Sequence, residues 1–231
     1  MITYEFLLIR LQERADEKYR EFHKKLLKNE RVNVFGVRTP VLRGFAKEYR
    51  GEFDALMTFP DDYYEVTFLK CACAALLPYG EFIKYVDRLV SLLDNWATCD
   101  CFVASCIRKH REDFLPYIEK YFSDGREYVR RYSLVTLLHD YMEETYLPLI
   151  FSYLRRCGEE EYFYVMMAAA WLLAEVLVKF YEAGIAFLQE GSIPNRIRNK
   201  AIQKARESFR LTEEQKNELL LYKSGKRVDK K

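Results

Sequence analysis

The sequence predicts an all-α protein, an α-α superhelix (solenoid) of HEAT-like helix pairs. Almost every segment has apolar residues at helical rather than alternating spacing. The 231 residues include only 9 Gly and 6 Pro, few for a loop-rich β protein. Apolar-rich helices also recur at a nearly constant interval. We therefore predict a single HEAT-like-repeat domain over residues 1–222, followed by a basic, apolar-poor and weakly ordered tail over residues 223–231.

The helices are predicted in order from the amino terminus. An amphipathic helix spans Glu17–Leu27, and Thr39 and Pro40 then predict an N-cap followed by proline at the first helical position. Five apolar-rich second helices start at residues 66, 96, 129, 165 and 197, which are 30, 33, 36 and 32 residues apart. First helices precede them, for example at Glu81–Leu92, Phe114–Phe122 and Tyr146–Arg155. Such a period is typical of a HEAT-type α-solenoid, in which the second helices line a concave groove.

Several classes of protein are excluded by what the sequence lacks. No apolar stretch is long enough to span a membrane, and the start has no signal-peptide core, so we expect a cytoplasmic protein. The six cysteines are predicted to be small, reduced core residues. No zinc motif, P-loop, GxGxxG or GxSxG is present, which argues against the usual metalloenzymes, NTPases, dehydrogenases and hydrolases. We therefore predict neither a metal nor a cofactor.

The two tryptophans are the most informative residues. Trp96 lies four residues before Asp100, so on a helix an aromatic plane and a carboxylate share one face. This pair suits a cationic target. A structural alternative stays open for each tryptophan. Trp96 could belong to the core while Asp100 caps a helix or pairs locally, and the second tryptophan, Trp171, could pack in the core.

Positive charge is clustered although the net charge is only +2. Between Pro194 and Arg210, six basic residues face a single acidic one, a local net charge of +5. This run is either a solvated helix face or part of an electropositive groove. The basic residues that we expect to contribute to such a groove are Arg38, Arg43, Arg130, Arg198, Lys200 and Lys204.

Four motifs in order resemble the HEAT-like-repeat DNA alkylation-repair glycosylases, the AlkD-like family, over about residues 14–210. The first motif comprises Asp16–Phe22 and Phe35–Arg43 with Ala46 and Lys47. The later motifs are Asn95–Asp100, which is similar to an NWxxxD element, Tyr128–Arg130, and Ala170–Trp171. Each motif is weak alone, and their order and spacing make the resemblance specific.

The resemblance implies excision of cationic N3- or N7-alkylpurines from duplex DNA, without a metal and without drawing the base into a pocket. Asp100 would stabilise the positive charge that develops on deoxyribose, and the indoles of Trp96 and Trp171 would contact the cationic nucleotide. Arg130, or alternatively Arg131, would bind a phosphate near the lesion. The predicted partner is alkylated duplex DNA, bound by a monomer without contact to a membrane. Further DNA-binding residues would be Arg38, Arg43, Arg198, Lys200 and Lys204.

The chain also departs from the family pattern. Leu27 stands where the characterised glycosylases have an aromatic residue, and Arg38 stands where they have a polar uncharged residue. Two other functions therefore stay open: a non-catalytic protein that binds DNA structures on the same fold, and a solenoid that holds a peptide in its groove.

Overall fold

The computed structural model describes residues 2–27, 32–158 and 161–224. The fold class is all-α, as predicted: these ranges contain no β-strand, and one isolated bridge joins Asn33 to Tyr63. A membrane-spanning helix is not found among them. The α-helices are α1 (Tyr4–Glu13), α2 (Glu17–Leu27), α3 (Thr39–Tyr49), α4 (Phe53–Leu56), α5 (Tyr64–Ala74), α6 (Tyr79–Ser91), α7 (Trp96–Cys101), α8 (Arg111–Phe122), α9 (Glu127–Asp140), α10 (Leu147–Arg156), α11 (Phe163–Lys179), α12 (Tyr181–Gln189), α13 (Asn195–Arg206) and α14 (Glu213–Leu219).

The predicted repeat of second helices is confirmed. The segments expected at 66, 96, 129, 165 and 197 correspond to α5, α7, α9, α11 and α13, and each observed start lies within two residues of the predicted one. The predicted first helices correspond to α6, α8 and α10. The second helices were recognisable for two reasons: α5, α9 and α11 are buried over most of their length and are rich in apolar residues, whereas α13 buries a spaced apolar stripe.

The chain divides into two compact units, one up to Leu115 and one from Pro116. In the amino-terminal unit, α5 packs against α3 on one side and α7 on the other, and also against α6. In the carboxyl-terminal unit, α11 packs between α9 and α13 and contacts α12. Within each unit, second helices of successive pairs therefore lie side by side, as expected for a helical repeat.

The amino-terminal end differs from the prediction in two respects. Helix α1 precedes the expected first helix; the Thr3 side chain caps it by accepting a hydrogen bond from the Phe6 N–H, and Leu7 and Leu11 are buried. Helix α3 begins at Thr39 itself, with Arg38 as N-cap and no side-chain capping bond. The predicted Thr39 cap was thus wrong by one residue, because proline is tolerated at either of the first helical positions.

A buried carboxylate on α5 holds the segment that leads into α3. Glu65 is fully buried and accepts hydrogen bonds from the backbone N–H groups of Phe35, Gly36 and Val37 at 3.0, 2.8 and 3.2 Å. Burial raises the pKa of Glu65, and the three backbone donors oppose that shift. Gly36 has φ +91°, and a Cβ there would lie 2.6 Å from the backbone oxygen of Asp16. The position therefore requires glycine.

The cysteine prediction holds for four of the six cysteines, and most of the predicted tail lies outside the described residues. None of the six cysteines, all of which lie in the described ranges, forms a disulfide. Four of them, Cys71, Cys73, Cys99 and Cys157, are buried as predicted, and the other two, at positions 101 and 106, are half-buried. Of the predicted tail, residues 225–231 lie outside the described residues. Ser224, near its start, exchanges two backbone hydrogen bonds with the Asn199 side chain at 2.9 and 3.0 Å.

Candidate functional site

A side-chain cap sets the position of α7 and thus of its tryptophan. The Asn95 side chain is 1 % exposed and accepts a hydrogen bond from the Thr98 N–H at 2.9 Å, which satisfies one of the unpaired donors at the start of a helix. Its amide also donates to Asp94 Oδ1 at 2.8 Å. Trp96 is therefore the first residue of a helix only six residues long.

The tryptophan and the carboxylate of α7 are both half-buried, whereas Ala97, Thr98 and Cys99 between them are buried. Trp96 Nε1 donates to the backbone oxygen of Leu26, near the end of α2, at 3.3 Å. Neither Trp96 nor Asp100 is enclosed in the core. The structure of α7 thus keeps both side chains accessible on one helical face, as the spacing predicts.

A pocket of about 340 Å³ lies beside the carboxyl end of α7. Arg43 and Lys47, one turn apart on α3, line it together with Cys101 and Ser105. Three alanines, at positions 46, 72 and 75, also line it. Burial raises the pKa of the Cys101 thiol; the charge of Arg43 and its hydrogen bond to the thiol oppose the shift, and the Asp100 charge adds to it. The Arg43 cation and the Asp100 carboxylate therefore both lie within electrostatic reach of this thiol.

The other basic residue predicted in this unit, Arg38, lies against α2. Its guanidinium pairs with Asp16 at 2.8 Å and lies 4.8 Å from the centre of the Tyr19 ring. The Tyr19 backbone N–H and the Arg38 side chain lower the pKa of Asp16. The Arg38 side chain is 59 % exposed, so it stays accessible to solvent while it is paired with Asp16.

The second tryptophan lies on a pocket in the carboxyl-terminal unit. Trp171 is half-buried, and its ring is perpendicular to that of His139, with centroids 5.9 Å apart. The pocket, about 260 Å³, is lined by Trp171, Ala174, Glu175, Val178, Lys204, Glu207, Ser208 and Arg210. Trp171 is therefore not enclosed in the core. Lys204, which the sequence analysis assigned to the DNA contacts, lines the same pocket.

The adjacent arginines of α9 have different environments. Arg131 is 5 % exposed, and its Nη1 donates to the backbone oxygen of Tyr164 on α11 at 2.6 Å. Arg130 is half-buried, and its guanidinium lies 5.3 Å from the centre of the Phe122 ring. Arg131 therefore joins two helices, and Arg130 is the more accessible of the two.

The basic run predicted after Pro194 lies on α13, except for Arg210, which follows the end of the helix. Its apolar stripe, formed by Ile197, Ala201, Ile202 and Ala205, is buried, so the cations occupy the outer faces. Arg198 is half-buried, and its Nη1 lies 3.4 Å from the Ser224 hydroxyl. Lys200, also half-buried, donates to Gln203 Oε1 at 3.1 Å.

Two site features were not predicted from the sequence. The pocket beside Trp171 contains Glu175, whose carboxylate pairs with Arg210 at 2.8 Å, and the pocket beside α7 contains Lys47. A signal for the first was present, because Trp171 and Glu175 have the same four-residue spacing as Trp96 and Asp100. In the described ranges, no group of three or more His, Cys, Asp or Glu side chains is arranged to hold a metal ion.

These features define a class: an all-α helical-repeat protein with tryptophan and carboxylate pairs on its second helices and a basic helix near its carboxyl end. Residues 7–210 match the family model described as DNA alkylation repair enzyme. The chain therefore belongs to this family, and its role lies in DNA alkylation repair. A comparison with curated protein sequences returns no match.

Proposed function

We propose that this protein is a monofunctional DNA glycosylase that excises cationic N3- and N7-alkylpurines from duplex DNA. The observation that carries the proposal is the pair of Trp96 and Asp100, half-buried and one turn apart on α7, in a chain of the DNA alkylation repair family. An accessible aromatic plane beside a carboxylate suits a substrate that is cationic and develops further positive charge during reaction.

The chemistry requires little beyond charge stabilisation and a positioned water. An N3- or N7-alkylated purine carries a positive charge, so when its bond to deoxyribose C1′ breaks it takes the bonding electron pair and departs as a neutral base. The positive charge then resides on the sugar, where the Asp100 carboxylate stabilises it. Water adds to C1′ and releases a proton to solvent or to the carboxylate. The indole of Trp96, on the same helix as Asp100, contacts the cationic nucleotide, and the indole of Trp171 contacts a nucleotide of the damaged duplex from its own pocket.

Phosphate contacts come from basic side chains in both units. We assign Arg130 to a phosphate near the lesion, because Arg131 is buried and already donates to a backbone oxygen. Arg130→Ala should therefore weaken DNA binding more than it slows excision of bound substrate. The other residues assigned to phosphates are Arg38, Arg43, Arg198, Lys200 and Lys204.

The direct test is release of 7-methylguanine from a methylated duplex, with protein in excess, by the native chain and by Asp100→Asn. Asparagine keeps the shape and removes the charge, so the release rate should fall about a hundredfold or more while the duplex still binds. Glu81→Gln is a matched control, because it removes one exposed carboxylate, paired with Lys84, from α6 of the same unit. Equal rates for the native chain and Asp100→Asn would overturn the proposal.

A second candidate is a DNA-structure-binding protein that does not catalyse excision. The observation that favours it is Leu27, which stands at the position of a family aromatic residue and is 1 % exposed, so it offers no aromatic surface to a lesion. This function predicts that the native chain and Asp100→Asn bind duplex DNA equally and that neither releases a base.

A further inference from the structure

We infer that Trp171, Glu175, Lys204 and Arg210 form a recognition site for one cationic alkylpurine nucleotide of the damaged duplex, with Glu175 as the residue that distinguishes a cationic base from a neutral one. The inference rests on the substrate class proposed above. It assigns to Glu175 the role of a specificity-determining carboxylate, and it explains why charged side chains surround Trp171.

The spacing on α11 places an aromatic ring and a carboxylate on one face. Trp171 and Glu175 are four residues apart, both are half-buried, and both line the same pocket. This repeats the arrangement of Trp96 and Asp100 on α7. An indole face and a carboxylate attract the same cationic ring, the first through its quadrupole and the second through its charge.

The pocket carries two charges of each sign. Glu175 and Glu207 contribute the carboxylates, and Lys204 and Arg210 contribute the cations. A simple anion or a simple cation would meet repulsion as well as attraction here. An alkylated purine nucleotide carries a cation on its ring and an anion on its phosphate, so it matches both halves of this charge pattern.

The ion pair already present in the pocket can exchange with such a ligand. Arg210 Nη2 lies 2.8 Å from Glu175 Oε2, and the two side chains are 59 % and 31 % exposed. Ion pairs at this exposure are weak, because solvent screens them. When the nucleotide binds, Arg210 turns to the phosphate and the Glu175 carboxylate takes the cationic ring as its new partner.

The size of the pocket agrees with contact to one edge of a nucleotide. At about 260 Å³ it is smaller than the roughly 300 Å³ at the lower end of pockets that enclose small molecules. The base is therefore read at the surface and not enclosed.

The test compares the affinities of two duplexes that differ only in charge. One contains a single 7-methylguanine, which is cationic; the other contains 7-methyl-7-deazaguanine, which has the same shape and is neutral. Binding is measured with the Asp100→Asn protein, so that the damaged duplex stays intact. We expect it to bind the cationic duplex between about three- and tenfold more tightly than the neutral one.

Three added substitutions decide the role of Glu175. Glu175→Gln should bring the ratio of the two affinities close to one. Glu207→Gln removes an exposed carboxylate of the same pocket, which accepts a hydrogen bond from Gln203 at 3.3 Å, and should lower the ratio much less than Glu175→Gln does. Arg210→Ala breaks the ion pair but keeps the Glu175 carboxylate, so it should weaken binding of both duplexes by a similar factor and preserve their ratio.

The inference is overturned if the Asp100→Asn protein does not prefer the cationic duplex, or if its preference survives Glu175→Gln. It is also overturned if Glu207→Gln or Arg210→Ala abolishes the preference, because the loss would then not be specific to the Glu175 charge. Excision of 7-methylguanine by the native chain reports separately on the glycosylase. If the native chain excises 7-methylguanine but the preference for the cationic duplex does not depend on Glu175, the proposed function stands and only this inference is overturned.

Discussion

Helices α7 and α11 carry the same tryptophan-to-carboxylate spacing but hold it in different ways. Helix α7 has six residues, starts at its tryptophan and depends on the Asn95 cap. Helix α11 has 17 residues, has no side-chain cap, and buries most of its length against α9 and α13. The short helix is thus positioned by a few directed hydrogen bonds, and the long one by packing on two sides.

The carboxylates differ in their neighbours as well. Asp100 precedes Cys101, a half-buried thiol that accepts a hydrogen bond from Arg43 and lines a pocket with two cations. Glu175 is paired with Arg210 in a pocket that contains both signs of charge. We therefore expect the α7 carboxylate to act on developing charge in the reaction and the α11 carboxylate to act in recognition.

The largest expected difference between the helices is in the rate of base release. Asp100→Asn should lower the single-turnover release rate about a hundredfold, which corresponds to about 2.7 kcal/mol. Glu175→Gln should lower the same rate less than about tenfold at saturating protein, because recognition is then complete. Similar losses from both substitutions would show that the two carboxylates share one role.

Removing either tryptophan should have a smaller effect. Trp96→Ala and Trp171→Ala should each slow release between about two- and thirtyfold, since one cation–π contact is worth roughly 0.5 to 2 kcal/mol. Leucine at the same positions keeps apolar contact and removes the aromatic face, so Trp96→Leu and Trp171→Leu should be as slow as the alanine variants. Release at the native rate with leucine would mean that the indoles act by packing alone.

Loss of the side-chain cap of α7 should reduce the stability of the protein more than loss of a hydrogen bond at the start of α11. Asn95→Ala leaves the buried Thr98 N–H without its acceptor and should lower the free energy of unfolding in urea by about 1 to 2 kcal/mol. Tyr162→Phe at the start of α11 removes only an exposed hydroxyl that donates to the Gly125 oxygen, and should cost less than about 1 kcal/mol. Equal losses would contradict the contrast between a capped helix and a packed one.

The smallest effects concern the cations beside each tryptophan-bearing helix. Arg43→Ala and Lys204→Ala should each reduce the slope of log affinity against log salt by about one, because one phosphate contact releases about one counterion. The slope is measured by duplex titration between low and physiological salt. Lys84→Ala, an exposed lysine on α6 paired with Glu81, should leave the slope unchanged. An unchanged slope for Arg43→Ala or Lys204→Ala would remove that residue from the DNA contacts.

Much of the helical pattern followed from local signals. The starts of α5, α7, α9, α11 and α13 were predicted within two residues, because α5, α9 and α11 are rich in buried apolar residues and α13 carries an apolar stripe. Helix α1 was missed although Thr3 is a readable N-cap, because its apolar residues form a continuous run over residues 6–9, which by itself does not indicate helical spacing. The pocket beside Trp171 was not predicted, since its lining comes from α11 and from residues at and after the end of α13.

The sequence by itself determined the all-α class, the repeat interval and the shared face of Trp96 and Asp100, because these depend on residues within one or two helical turns of each other. Only the tertiary structure decided that Arg131 is buried while Arg130 is more accessible, and that Glu175 pairs with Arg210, which is 35 residues away. Neighbouring residues on a helix point about 100° apart, so the packing of other helices selects which of them meets solvent. Partners far apart in the chain meet only through that same packing.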